Sequence, residues 1–217
     1  MSEYIIIAAF NEEKHIQKVL RETNQFCENR IVVDDGSSDA TYDLAKKEGV
    51  TALRHVINLG KGAAIKTGCD YAIREGAKIL VLMDADGQHE PADIPRFREA
   101  LAEKDIVFGY RRLNRSMPKV YRLGNFSINL MSQVLFGIKI RDTQCGFRAM
   151  TAKAYRKVRW EATDYSMESE MIANTGRHGL KYTQLEIKTQ YHDNYKATTV
   201  LDGLKIGFNM IKWRLTR

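Results

Sequence analysis

The sequence has no apolar run long enough to cross a bilayer: the longest, Tyr4 to Phe10 and Ile79 to Met83, fall far short of the roughly 20 residues a spanning helix needs. Nothing after the opening Met-Ser-Glu resembles the basic region and long apolar segment of a secretory signal, so none is expected there. Cysteine is sparse. Cys27, Cys69 and Cys145 are odd in number and show no paired metal spacing, which points to reduced thiols in a cytosolic protein. With three prolines, no low-complexity stretch and no internal repeat, nothing divides the 217 residues, and one globular core is expected.

Two nucleotide-binding signatures are also missing. Gly60-Lys61-Gly62 is not a Walker A loop, which needs four residues between its glycines and a Ser or Thr after the lysine. Nor does the first strand lead into Gly-x-Gly-x-x-Gly, as a dinucleotide-binding fold requires. What is present is an ordinary globular mixture, 44% hydrophobic and 28% charged, with a net charge of +7. That surplus suits a polyanionic partner: nucleic acid, an acidic membrane face or phosphorylated substrates. No reader motif for nucleic acid accompanies it, so nucleic acid is not an expected partner.

Strand and helix signals alternate. Tyr4 to Ala8, Arg30 to Val33, Val50 to Val56, Lys78 to Leu82, Asp105 to Gly109 and Leu180 to Ile187 read as strands. Helices are expected from Phe10-Asn11-Glu12-Glu13, from a cap at Ser38 or Asp39, from Asn58-Leu59-Gly60 to about Glu75, from Pro91 to Glu103, from Lys119 to Phe136 and from Tyr165 to Thr175. This order implies an α/β fold with a mostly parallel central sheet and helices on both faces. Residues 142–148 and 191–196 read as loops. At the C-terminus, Val200, Leu201, Leu204, Phe208, Ile211 and Leu215 fall near helical spacing beside Lys205, Lys212, Trp213, Arg214 and Arg217. Such a basic amphipathic helix can lie on an anionic membrane or pack on its own domain.

The chemistry gathers at strand ends. Lys78 to Leu82 runs into Met83-Asp84-Ala85-Asp86-Gly87-Gln88-His89-Glu90-Pro91, placing carboxylates where open α/β sheets bind ligands. Alternation along an extended chain points Asp84 and Asp86 the same way, with Gln88, toward one hard divalent cation. As a bare turn, the same stretch would use Gly87 for the bend and Pro91 to open a helix. The second strand likewise ends in Asp34-Asp35-Gly36-Ser37-Ser38-Asp39, and Lys61 opens a helix, a natural place for phosphate oxygens. Arg111, Arg112, Arg115, Lys119 and Arg122 follow one another without an intervening acid, an exposed basic surface or an anion site.

Ala9-Phe10-Asn11-Glu12-Glu13, Val33 to Asp39, Asn58-Leu59-Gly60-Lys61-Gly62 and Asp84 to His89 occur in an order and spacing that resemble the family 2 glycosyltransferases. Asp142-Thr143-Gln144-Cys145-Gly146-Phe147-Arg148 resembles the polyprenyl-phosphate branch of that family, the dolichyl-phosphate mannose and glucose synthases. The resemblance spans about residues 4–190 and implies a GT-A type nucleotide-sugar-binding domain over residues 1–198, followed by the amphipathic helix 199–217.

By residue, the resemblance implies that the backbone near Ala8 and Phe10, with Asn11 and Glu13, borders the nucleoside, and that Asp35 accepts a hydrogen bond from the base. Lys61 would sit near the phosphates. Asp84 and Asp86 would bracket ribose and diphosphate through Mg²⁺ or Mn²⁺, with Gln88 completing the metal shell. Arg111 matches an acceptor-phosphate arginine, with Arg122 and Asn125 as further contacts, and Asp142 lies in the loop near sugar and acceptor. Asp86, Arg111 and Asp142 are thus the expected catalytic set. The implied activity is inverting, metal-dependent transfer of a hexose from GDP-mannose or UDP-glucose to a polyprenyl phosphate, at the cytoplasmic face of a membrane and with room for a membrane-protein partner. A hydroxyl acceptor would instead need a base, for which Glu168, Glu170 or Asp142 could serve; a docking scaffold without catalysis is the third alternative. Two departures stand out. His192, Lys196 and Thr198 occupy a loop where relatives carry an Arg and a Ser-Lys pair, and no spanning helix follows the catalytic part, so the chain is expected to be peripheral or to stop before such helices.

Overall fold

The computed structural model describes residues 2–112, 119–188 and 200–216. The loop expected at 191–196, with His192, Lys196 and Thr198, lies outside the described residues, as do Arg115 and Arg217. A seven-stranded sheet forms the middle layer, in the order β3-β2-β1-β4-β6-β5-β7. Its strands are β1 (Glu3–Ala9), β2 (Arg30–Asp34), β3 (Thr51–Arg54), β4 (Ile79–Asp84), β5 (Ile106–Arg111), β6 (Arg148–Thr151) and β7 (Tyr182–Ile187). All neighbours run parallel except β6, which lies antiparallel between β4 and β5.

Period-two alternation distributes the apolar side chains over two cores. Ile6, Ile31, Val33, Leu80 and Phe108 face α3 (Lys61–Arg74), α6 (Ala152–Val158) and α7 (Ser166–Arg177). Ile5, Ile7, Val32, Val81 and Val107 face α1 (Ile16–Asn24), α2 (Thr41–Lys47) and α4 (Ile94–Ala100). The inner strands β1, β2, β4 and β5 are largely buried on both sides, and their near-continuous apolar runs follow from that, whereas the edge strands β3 and β7 are only partly covered. Two further helices, α5 (Lys119–Phe136) and α8 (Val200–Thr216), pack on each other and on α7 around Ile128, Ala173, Ile206, Met210 and Trp213.

The expected elements are present, with differences that matter to the site. β4 runs on through Asp84 rather than ending at Leu82, so the first aspartate is still paired in the sheet, opposite Ala8. The first helix begins at Ile16 and not near Glu12, because Asn11 takes a left-handed φ of 55° and the intervening residues form turns. Ala40, not Ser38 or Asp39, is the N-cap of α2. β3 stops at Arg54, which leaves Val56 exposed. The helix expected over 91–103 divides into a 3₁₀ turn, Pro91–Asp93, and α4. β6 and α6 were not anticipated.

Close packing of α3 on the sheet depends on Gly68, where a Cβ would stand 2.5 Å from Ile6 Cγ2 and 3.1 Å from Val33 Cγ2. Gly68→Ala is expected to lower stability by about 1–3 kcal/mol through overpacking, read as a shifted urea midpoint at unchanged m-value.

Candidate active site

β1 lies between β2 and β4, so the chain's crossovers depart from it in opposite directions and open a crevice at the carboxyl ends of the strands. Ala9, Asp34, Asp84 and Arg111 are the last residues of β1, β2, β4 and β5. A cavity of about 370 Å³ fills this crevice, and Ala8, Phe10, Asp35, Lys61, Asp84, Asp86, Gln88 and Arg111 all line it.

Lys61 stands at the first turn of α3, its Nζ 2.7 Å from Asp84 Oδ1 and 3.0 Å from Glu168 Oε1. Burial disfavours the ammonium, but the two carboxylates hold its pKa well above the usual lysine range. Burial would likewise raise Asp84, yet Lys61 outweighs it and, with Arg111 adding a smaller share, keeps the carboxyl at about 2. The approach of α3 to this point requires Gly60, whose φ of 97° and contact with the Thr163 carbonyl leave no room for a side chain.

Asp35 serves the same loop. Its carboxylate accepts hydrogen bonds from Leu59 N at 3.0 Å and Gly60 N at 2.8 Å, and pairs with His55 Nδ1 at 2.6 Å. His55 Nε2 reaches Thr67 Oγ1 at 3.0 Å, tying the arrangement to α3. The expected reader of the base is therefore also the residue that fixes the approach to Lys61.

Beyond β4, Gly87 bends the chain at a φ of 72°, and Asp86 Oδ1 accepts from Gln88 N at 3.0 Å. His89 is buried, which depresses its pKa, and its Nδ1 accepts from Asp84 N at 3.3 Å. A neutral ring with its proton on Nε2 satisfies both observations. Among the described residues no group of three or more His, Cys, Asp or Glu could hold a metal by itself. The oxygen donors of Asp84, Asp86 and Gln88 on one wall nevertheless fit a hard cation such as Mg²⁺, which typically takes one or two carboxylates and completes its shell with water and substrate phosphates.

Arg111 is held by Asp142, with Nε to Oδ2 at 2.7 Å and Nη2 to Oδ1 at 3.1 Å, a forked pair. Asp142 is buried and is not part of the cavity lining; from its loop, Gln144 and Gly146 reach the cavity instead. The loop owes its shape to Arg148, fully buried at the start of β6, which donates to the carbonyls of Cys145, Thr143 and Glu168 at 3.0, 2.8 and 2.9 Å. Gly146 is pressed against the Asp84 carboxylate, so a Cβ there would stand 2.5 Å from Oδ2.

Asn11 and Glu13 are not in the lining. Asn11 Oδ1 accepts from Ser38 N at 3.0 Å and Glu13 Oε2 from Ala40 N at 3.2 Å, so both brace the first loop against the second, while Glu12 reaches the cavity. Arg122 and Asn125 belong to α5, in a stretch whose side chains lie outside the described residues. Gln144 and Gly146 lie in the loop the sequence placed near sugar and acceptor, whereas sequence reasoning missed His55, Asp164 and Tyr165 as site residues and offered Glu168 only as a base for a hydroxyl acceptor. No local signal marks them, since each meets its site across the fold.

Gly146→Ala is expected to displace the Asp84 carboxylate and weaken nucleotide binding by about tenfold or more, roughly 1.4 kcal/mol, in calorimetry. Acid unfolding offers a second check. The folded Asp84 pKa of about 2 lies below the ordinary carboxylate value of about 3.9, so the Lys61 pair contributes fully above that value and is lost as pH falls toward 2. Stability curves of Asp84→Asn should therefore be flatter than those of the unsubstituted chain through that acid window.

Residues 4–159 match the family model described as Glycosyl transferase family 2. The UDP-N-acetylglucosamine–dolichyl-phosphate N-acetylglucosaminyltransferase of Methanococcus voltae is 32% identical over 98% of this chain and 96% of its own length. The polyprenol monophosphomannose synthase of Mycolicibacterium smegmatis is 27% identical over 96% of this chain and 84% of its own. Among solved structures, glucosyl-3-phosphoglycerate synthase from Mycobacterium tuberculosis in complex with Mg²⁺ and uridine diphosphate superposes with a TM-score of 0.77 at 17% identity, covering 98% of this chain and 79% of that one. The sheet and its flanking helices are thus a GT-A type α/β fold. With its crevice, its strand-end aspartates and a family match over most of its length, the chain belongs to the family 2 glycosyltransferases and is a hexosyltransferase.

Proposed function

We propose that this glycosyltransferase moves a hexose from a nucleotide sugar to a polyprenyl phosphate, with inversion at the anomeric carbon and with Mg²⁺ or Mn²⁺ held by Asp84, Asp86 and Gln88. One observation carries the reading: the Arg111 guanidinium, locked by Asp142, lines the same cavity as the Asp84–Gln88 turn. The names of the relatives, which include transferases to dolichyl phosphate and polyprenol, support the acceptor class. They also keep the donor open among GDP-mannose, UDP-glucose and a UDP-linked N-acetylhexosamine.

The residues divide the work by charge. A phosphate monoester has a second pKa of about 6, so a lipid phosphate arrives largely dianionic and needs no base. It needs a cation to orient it beside a second anion. Arg111 supplies that cation at the cavity, with Asp142 as its positioning residue. Lys61, at a helix start, faces the donor's phosphates, and Asp35 with His55 fixes the loop that delivers it. A bound divalent ion would neutralise charge on the departing diphosphate. The displacement is a single step without a covalent enzyme intermediate. No described helix is long and apolar enough to cross a membrane, and the +7 charge supports peripheral attachment to an anionic cytoplasmic face, where a lipid acceptor resides.

A hydroxyl acceptor is the second reading, and one observation favours it. Glu168 lines the cavity, and its Oε2 is buried without a hydrogen-bond partner among the described residues. The other two candidate bases are committed elsewhere: Glu170 accepts from Glu161 N and Ala162 N, and Asp142 holds Arg111.

Incubation with each nucleotide sugar, Mn²⁺ and a short polyprenyl phosphate should give a glycosyl phosphate of inverted configuration, and chelation should stop turnover. Arg111→Gln is expected to lower turnover about 100-fold, roughly 2.7 kcal/mol of barrier, with little change in the donor KM. Transfer to hydroxyl acceptors but never to the lipid phosphate would overturn the acceptor assignment in favour of the Glu168 reading.

A further inference from the structure

Asp35, directly after β2, is only 2% exposed, and the little of it that is open belongs to the cavity. An ionised carboxylate has no hydrogen to give and accepts through two positions on each oxygen, about four in all. Among the described residues, three of those on Asp35 are taken. Oδ1 receives both His55 Nδ1 at 2.6 Å and Leu59 N at 3.0 Å, and Oδ2 receives Gly60 N at 2.8 Å. One position remains, on Oδ2. The three donors are not free to leave. Leu59 N and Gly60 N are backbone groups that would be left unpaired at a buried site. Their loop has no slack, since a Cβ on Gly36 would stand 2.7 Å from Ile57 C and 2.8 Å from Asn58 N. His55 is held at its other nitrogen by Thr67 Oγ1 at 3.0 Å.

That count discriminates between bases. On its Watson–Crick edge uracil presents one donor, N3–H, between two carbonyls, whereas guanine presents two side by side, N1–H and a hydrogen of the N2 amino group. A carboxylate that holds guanine takes one of these on each oxygen, and Oδ1 of Asp35 has no position left for it. Guanine docked on Oδ2 alone would bury a donor without a partner, a penalty that uracil escapes. Glu12, the lining carboxylate that follows β1, is itself engaged by His15 Nδ1 at 2.9 Å. Asn58 also lines the cavity, and its side-chain amide is of the type that donates to a ring carbonyl.

We infer that the donor is a uridine diphosphate sugar, its base read at N3–H by the single acceptor position that His55 and the amides of residues 59 and 60 leave on Asp35. The inference rests on the nucleotide-sugar donor proposed above and deepens it by naming the base, independently of which acceptor is glycosylated.

Calorimetry of the full chain with UDP, GDP and N3-methyl-UDP, each in the presence of Mn²⁺, tests it. UDP should bind about tenfold or more tighter than GDP, the difference expected from one buried donor left unpaired. Methylation at N3 removes the one donor and sets a methyl group against the one open acceptor, so N3-methyl-UDP should bind about 100-fold or more weaker than UDP. The unsubstituted chain serves for all three ligands, so no result depends on a variant that fails to fold. GDP binding as tight as UDP, or N3-methyl-UDP binding undiminished, overturns the inference and leaves a nucleotide-sugar transferase in place. Binding of none of the three overturns the donor reading itself and the inference with it. UDP-selective binding, alongside a polyprenyl phosphate that is never glycosylated, supports the base assignment and refutes only the lipid acceptor.

Discussion

The ammonium of Lys61, shared between Asp84 and Glu168, is the contact on which the site depends. It joins the start of α3, the end of β4 and the first turn of α7, elements that come together only in the finished fold. Without it, two carboxylates on one cavity wall would face each other in a poorly solvated space, and one would have to take up a proton. The backbone is arranged to permit the contact: Gly60 and Gly62 both bring α3 against the carbonyls of residues 162–164 at distances no side chain would tolerate.

The same economy governs the other side of the cavity. Arg111 projects from the end of β5 and would be a loose, long side chain without Asp142. Asp142 in turn depends on a loop shaped by Arg148, whose buried cation is accommodated only because three carbonyls and the face of Phe108 surround it. Arg111 and the buried Arg148 thus form one chain of support, although in the sequence they stand on either side of a long helix.

The fold was legible because its cues are local and repeated: short apolar runs, each followed by acids or glycine and then a helical pattern. Asp35, Asp84 and Asp86, which follow such runs, could be singled out for the same reason, whereas Arg111 stood out only through a basic cluster and the family resemblance. β6 escaped because its four residues open with an arginine and carry no periodicity of their own, its burial being imposed by β4 and β5 on either side. His55 and the partnership of Lys61 with Glu168 escaped because nothing near them in the chain announces contacts made across the fold. Asn11 and Glu13 show the opposite limit. Their motif was visible, but polar side chains next to a binding crevice can equally be spent on holding its loops, and here they hydrogen-bond the backbone of the second loop.

The reversed direction of β6 has a consequence for how such an enzyme diversifies. A parallel strand at that position would present the loop that follows it to the crevice; the antiparallel one presents the loop that precedes it, so a single uninterrupted stretch from the end of β5 to the start of β6 furnishes one rim of the cavity. The opposite rim is assembled from the loops after β1, β2 and β3, which sit earlier in the chain and share no strand pairing with that stretch. Insertions or exchanges within residues 112–147 can therefore reshape one wall while the other keeps its register.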